Sequence, residues 1–365
     1  MLERLGGSVR ESGVQWIGVA IASVVILSTA LPFLSHEAWW IRIFDFPRRQ
    51  IAVLTLVTIP AYIAVAGLDG ALDWLLVAGL CACVLYQLVR IGIYTPFFAK
   101  QAKDAAAGGD RRCFGIAVAN VLTPNRNAEA LLGIVRARDP DVMLFVETDN
   151  WWQTQLDALE ATHPFTVKSP QDNLYGMHLY SRLELIEPEL RFLLEPDVPS
   201  IHTRLRLRSG DCVDVHCVHP RPPSPTEASS SVERDAELLI VAKTVAAAGA
   251  PAIVIGDLND VAWSATTRLF QKISGMLDPR IGRGMFSTFH AKHAWLRWPL
   301  DHIFISPEFT VVSLRRLGYF GSDHFPIHAQ LCYSPPAAAV QQAPKADVDD
   351  REVAEHKIEK AEQER

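Results

Sequence analysis

Long apolar runs fill the first hundred residues, and short ones separated by polar turns fill most of the remaining chain. Residues 14–34, 51–68 and 74–94 each approach the roughly 20 apolar residues that cross a ~30 Å hydrocarbon layer. The first is the cleanest, unbroken from Ile17 to Leu31. The third contains Gln87 and Arg90, with Arg90 close enough to its end to reach the interface. A cleaved secretory leader is the alternative for the first run, but Leu31-Pro32-Phe33-Leu34-Ser35-His36-Glu37 is a poor cleavage site. The pattern predicts a membrane region over 1–98 with about three transmembrane helices.

A small, polar, glycine-bearing stretch over 99–112 then predicts a linker. From 113 to 333 the period alternates between two and 3.6, which predicts an α/β layered fold. Strands are expected at 114–119, 142–146, 176–180, 203–207, 212–219, 252–255, 302–305, 311–314 and 327–331, and helices at 127–138 and 232–248. Residues 334–365 turn to Pro and Ala and then to mixed charge, and are expected to form a disordered tail or a frayed solvated helix. No internal repeat is visible.

Charge adds an orientation. Arg42, Arg48 and Arg49 lie between the first two runs, and Lys100, Lys103, Arg111 and Arg112 follow the third. Only Arg4 and Arg10 precede the first run, and Asp69 and Asp73 lie near the turn between the others. By the positive-inside rule this favours a multi-pass protein of the cell (inner) membrane with its globular domain cytoplasmic. Cysteine adds little. Cys113, Cys212, Cys217 and Cys332 match no zinc ribbon and no compact disulfide framework, and read as buried thiols of a reducing compartment. Between Arg111 and Tyr333 there are 22 Lys+Arg and 25 Asp+Glu, a net of −3, which removes the main argument for a broad nucleic-acid binder.

Polar residues at the ends of the apolar runs carry the candidate chemistry. In Ile253-Val254-Ile255-Gly256-Asp257-Leu258-Asn259 the glycine allows a tight turn, and Asp257 and Asn259 can point the same way. A carboxylate beside an amide suits an attacking water, although an Asx-rich turn has the same letters. Gly321-Ser322-Asp323-His324 sets a carboxylate beside an imidazole, and Asp301, opening another strand, is the natural partner for a charged His324. Asn120 and Glu147 close two further strands, and a glutamate after Val-Met-Leu-Phe-Val is awkward in a core unless paired or metal-bound. His216 and His219 face opposite sides of a regular strand, so only one looks into a pocket. His219, locked by the prolines after it, is the better candidate for leaving-group acid, with Arg221 for substrate phosphate.

This ordered set resembles the endonuclease/exonuclease/phosphatase superfamily, which includes deoxyribonuclease I, and in particular its membrane-anchored bacterial members with a His-Pro-x-Pro-Pro segment. The likeness spans about 113–333. It implies a four-layer sandwich of two mixed β-sheets flanked by helices, and cleavage of a phosphate ester with Mg2+, or with Mn2+ in its place. By motif, Asn120, Glu147 and Asp323 correspond to metal contacts, and Asp257, beside Asn259, to the residue that activates water. His324 with Asp301 corresponds to a phosphate-stabilising dyad, His219 to a second catalytic histidine, and Tyr175 to a pocket wall. The expected function is a membrane-anchored, divalent-metal-dependent phosphodiesterase or phosphatase acting on a lipid or nucleic-acid phosphate ester. A metal-dependent nuclease is the alternative, and a catalytically inactive membrane scaffold comes third. Nothing in the sequence calls for an obligate protein partner.

Overall fold

The computed structural model describes residues 2–34, 36–106 and 111–364. Linker residues 107–110 and the side chains of Arg4 and Arg10, which bear on orientation, lie outside them. The chain divides into two units, Met1–Ile93 and Tyr94–Arg365.

In the first unit, α1 (Leu2–Ala30) leads through the short α2 (Trp39–Arg42) to α3 (Arg48–Ala66), and a tight turn leads on to α4 (Ala71–Gly92). Three helical segments, Gln15–Phe33, Arg48–Ala66 and Ala71–Gly92, are long and apolar enough to cross a membrane. Ala22, Val25, Tyr62, Ala66, Leu76 and Leu80 pack together inside, while Ile17, Val24, Val57, Leu75, Leu85 and Val89 are exposed, which suits a surface bathed in lipid. The buried polar groups are matched to one another. Arg48 reaches Asp45 at 2.6 Å and the Gln87 amide oxygen at 3.2 Å, and Arg42 lies 3.7 Å from the same Asp45. Two of the arginines counted toward orientation therefore share one counter-charge.

The second unit is a sandwich. Its strands are β1 (Cys113–Asn120), β2 (Val142–Val146), β3 (Phe165–Ser169), β4 (Met177–Ser181), β5 (Leu185–Arg191), β6 (Ser200–Arg206), β7 (Cys212–Cys217), β8 (Ala252–Asp257), β9 (Asp301–Ile305), β10 (Phe309–Arg316) and β11 (Ile327–Tyr333). They form a six-stranded sheet in the order β10-β11-β1-β2-β4-β3 and a five-stranded sheet in the order β5-β6-β7-β8-β9. Both are mixed: β1/β2 and β7/β8 run parallel and the other pairs antiparallel. Apolar residues from both sheets, Ile116, Val118, Leu144, Val215, Ile253 and Ile255 among them, fill the space between. Helices α5 (Ala128–Arg138) and α6 (Asn150–Leu156) cover the outer face of the first sheet; α7 (Val232–Ala248) and α8 (Ala265–Ser274) cover that of the second. This is the expected four-layer architecture.

Three expectations need correction. Cys113 and Cys332 are not free thiols. They sit opposite each other in the β1/β11 register, with Cα atoms 4.0 Å apart, and are joined by a disulfide. Cys212 and Cys217 remain free. Residues at the start of the 99–112 linker are paired rather than loose: Ala105 N donates to Val311 O at 2.9 Å, and Val311 N to Lys103 O at 2.9 Å, along the outer edge of β10. The tail contains a helix, α9 (Val348–Glu364), which buries Ala354 against Leu239 and Leu269 and Ala361 against Val232 and Ala236. Such a charged segment holds a helix because neighbouring helices accept its few apolar residues and its ion pairs.

Candidate active site

The parallel pairs bring their strand ends to one rim of the sandwich. At the end of β8, Gly256 has φ 150°, and a Cβ there would lie 1.8 Å from the Val218 carbonyl oxygen, so only glycine fits. The turn puts Asp257 in register with Asp301 on β9, both fully buried. Two buried carboxylates side by side need a cation, and His324 supplies it. Its Nδ1 lies 2.8 Å from Asp301 Oδ2 and its Nε2 3.5 Å from Asp257 Oδ2. Burial works against charge on this imidazole, but Asp301 and Asp257 outweigh it and push His324 up to about 10. Ser322 fixes the turn by accepting from His324 N at 3.0 Å and donating to Asn120 O at 2.9 Å, and the Phe289 ring packs 4.9 Å from the imidazole.

The two aspartates respond in opposite directions. Burial raises Asp301, and the neighbouring Asp257 adds to this against the pull of His324. Burial also opposes ionisation of Asp257, but His324, His219 and hydrogen bonds from Asn259 N and Asn120 hold it below the usual carboxylate range. Asp257 is thus the ionised partner, with Asn259 N donating to its Oδ1 at 3.0 Å.

The other sheet contributes Asn120, at the end of β1, and Glu147, one residue past β2 with φ 61°. Asn120 Nδ2 donates to Glu147 Oε1 at 2.6 Å and to Asp257 Oδ2 at 3.1 Å, while its Oδ1 accepts from Leu122 N at 2.9 Å. The amide nitrogen, rather than the oxygen, faces the carboxylates, so Asn120 clamps the two sheets together here. Burial, reinforced by Asp323 and Asp257 and opposed by Asn120 and His324, pushes Glu147 up to about 7. Its Oε2 is buried with no hydrogen-bond partner.

That orphaned oxygen, near Asp257 and Asp323, belongs to a hard-oxygen donor set of the kind Mg2+ or Mn2+ takes. Asp257, Asp301 and His324 form a tighter group, with ligand atoms within 4.8 Å of one another. A protonated imidazole repels a cation, however, so a divalent ion fits better on the Glu147 side.

His219, two residues beyond β7, is buried, its ring 5.5 Å from Tyr175 and its Nδ1 without a partner. Burial pushes it down to about 4, with Asp257 opposing, so it is neutral near pH 7. His216 turns to the other face and meets His202 at 2.7 Å. Asn259 spends its side-chain amide on Pro220 O at 3.0 Å, which ties the Asp257 turn to the His219 segment. Tyr175 hydrogen-bonds Glu227. Arg221 is already engaged: it pairs with Glu195 at 2.6 Å and Asp197 at 3.1 Å and lies 4.9 Å over the Tyr175 ring. It braces the wall of the site. Sequence reasoning missed Phe289 and Glu227, which sit in loops without a pattern, and Arg234, whose Nη1 donates to Asn259 O at 2.9 Å. Ser322 was visible in the Gly-Ser-Asp-His string.

Several solved structures are similar. A Danio rerio TDP2 structure complexed with a single-stranded DNA product matches at 18% identity and TM-score 0.51, covering 60% of this chain and 98% of that one. An endonuclease/exonuclease/phosphatase from Beutenbergia cavernae matches at 17% and TM-score 0.50, covering 61% and 72%. The human Nocturnin catalytic domain with bound sulfate matches at 16% and TM-score 0.50, covering 62% and 97%. At these identities the likeness establishes the fold. No protein with a curated description matches. The family model of the endonuclease/exonuclease/phosphatase family matches residues 117–324, a span holding every rim residue from Asn120 to His324. On that match the chain belongs to the Endonuclease/Exonuclease/phosphatase family.

Proposed function

We propose that this chain is a membrane-anchored, divalent-metal-dependent hydrolase of phosphate esters, of the bacterial membrane-anchored type. One observation carries the reading: a buried His324 ring held between Asp257 and Asp301, in a site that also contains an unpartnered Glu147 oxygen. Members of this family typically hydrolyse phosphoric esters. In this site Asp257, ionised through the neutral range, takes the proton of the attacking water. His324 presents positive charge to the phosphoryl oxygens, and Asp301 holds the ring in place. Neutral His219 offers a ring N–H to the phosphoryl group against the Tyr175 wall. Glu147 and Asp323, with Asn120 holding Glu147, would hold Mg2+, which supplies charge neutralisation when bound.

The net charge of −3 over residues 111–333 and the apolar helices favour a membrane phosphodiester or phosphomonoester over bulk DNA. A nuclease is the alternative, and its support is the TDP2 relative, whose structure contains a single-stranded DNA product. The inactive-scaffold reading fits poorly because each expected polar position of the rim is filled.

For the catalytic unit we propose the extracytoplasmic side, opposite to the loop-charge expectation. A disulfide between the strands that meet at Cys113 and Cys332 suits an oxidising compartment, and Asp45 already offsets Arg42 and Arg48.

The test is a panel of phosphoinositides, sphingomyelin, single-stranded and duplex DNA, RNA and bis(p-nitrophenyl) phosphate, offered to the full chain in lipid nanodiscs with Mg2+, Mn2+ or chelator. We expect metal-dependent turnover that falls about 10²- to 10⁴-fold in Asp257→Ala while the domain remains folded. Turnover indifferent to both chelator and this substitution refutes the assignment.

A further inference from the structure

The helix α9 lies beyond the matched span 117–324, and ion pairs add to the apolar packing that holds it. Lys272 pairs with Asp350 at 2.8 Å and Lys243 with Glu355 at 3.5 Å, both in partly exposed positions where solvent weakens the attraction. The third pair is different. Lys357 Nζ lies 2.9 Å from Oδ2 of Asp235, which is fully buried on α7. Asp235 Oδ1 in turn holds Arg234 through Nη2 at 2.7 Å and Nε at 3.1 Å. Arg234 then donates from Nη1 to the carbonyl oxygen of Asn259 at 2.9 Å and lies 3.6 Å from Asp260 Oδ1.

We propose that Lys357 is a positioning residue for the catalytic turn, acting through Asp235 and Arg234 on Asn259. The four groups alternate in sign, Lys357, Asp235, Arg234 and Asp260, and end on the backbone that presents Asp257. Asn259 is the residue there that ties most of the site together. It adopts φ 50°, a left-handed conformation that asparagine takes more readily than most side-chain-bearing residues, while its N–H holds Asp257 and its amide holds Pro220 next to His219. Removing the Lys357 charge takes a cation from Asp235 Oδ2, to which Ser231 Oγ also donates at 3.3 Å. Arg234 is then drawn toward two carboxylates with less reason to hold the Asn259 carbonyl. The helix outside the family's common span thereby joins the site without touching substrate.

The inference depends on the hydrolase reading only for its kinetic arm, so the test has two. In full-length protein in nanodiscs, hydrogen exchange over residues 257–263 should be about tenfold faster in Lys357→Met than in wild type. Lys357→Arg, which keeps the charge, should match wild type. So should Lys272→Met, which loosens the same helix at a pair unconnected to the turn. With bis(p-nitrophenyl) phosphate, Lys357→Met should lower kcat about tenfold with KM within about twofold. Exchange in Lys357→Met equal to that in Lys272→Met overturns the proposal whatever the kinetics. Absence of any turnover in wild type overturns the hydrolase reading and leaves the exchange result to decide this one.

Discussion

Asp257 and Asp301 are the same residue, in register and equally buried, yet the surroundings keep one charged and press the other toward its proton. The same logic makes Glu147 the pH-sensitive group of the site. Its carboxyl is raised from 4.5 to about 7, chiefly by burial, so the folded protein holds that proton more tightly than the unfolded chain does. The associated stability is full below the unfolded value and is lost as pH rises through about 7, an effect of up to roughly 3 kcal/mol. A divalent ion competes for the same oxygens. Metal-free protein should therefore lose stability between about pH 5 and 8, and Mg2+ should raise the melting temperature more at about pH 8 than at about pH 5.5. Glu147→Gln should flatten both dependences; thermal unfolding with and without chelator reads them, and an unchanged Mg2+ response in this variant would remove Glu147 from the metal site. The polar residues at the rim were legible because each begins or ends an apolar run. The partners of Arg221 were not, because Glu195 and Asp197 lie in a loop with no periodicity.

At the level of elements, buried strands could be read, including the edge strand β9, and poorly buried edge strands could not. Val142–Val146 and Val232–Ala248 match expectation residue for residue, since a buried strand is apolar throughout and a long helix shows its face. The missed strands Phe165–Ser169 and Leu185–Arg191 lie at the sheet edges, and the second is largely exposed and carries Pro188. The short helix Ala265–Ser274 was missed although its Ser264 cap and the helical spacing of Leu269, Phe270 and Ile273 both marked it. The turn after β8 gives a sharp test at this scale. Gly256→Ala must bring a methyl against the Val218 carbonyl at a φ that alanine avoids, and should cost roughly 3 kcal/mol or more. Gly210→Ala has φ 92° but open space around it, and should cost only about 1 kcal/mol. Denaturant midpoints of the two variants compare them, and equal shifts would mean the close approach to Val218 is not a constraint.

For the whole molecule, the three long apolar helices and the layered fold were both readable, whereas the pairing of Cys113 with Cys332 was not, because 219 residues separate them. That pairing bears on which side of the bilayer the catalytic unit occupies. In intact cells, Cys113 and Cys332 should resist maleimide until a reductant is added, and alkaline phosphatase fused after Arg365 should be active. Ready labelling without reductant, with an inactive fusion, would return the unit to the cytoplasm. Replacing either cysteine by serine should cost about 2–5 kcal/mol in the oxidised protein. The strip from Lys103 to Ala105 has a practical consequence for anyone cutting the chain. Because its backbone occupies the open flank of β10, a soluble fragment begun at Cys113 would present bare amides and carbonyls to its neighbours and invite sheet-to-sheet aggregation. One begun near Ala99 would carry its own cover.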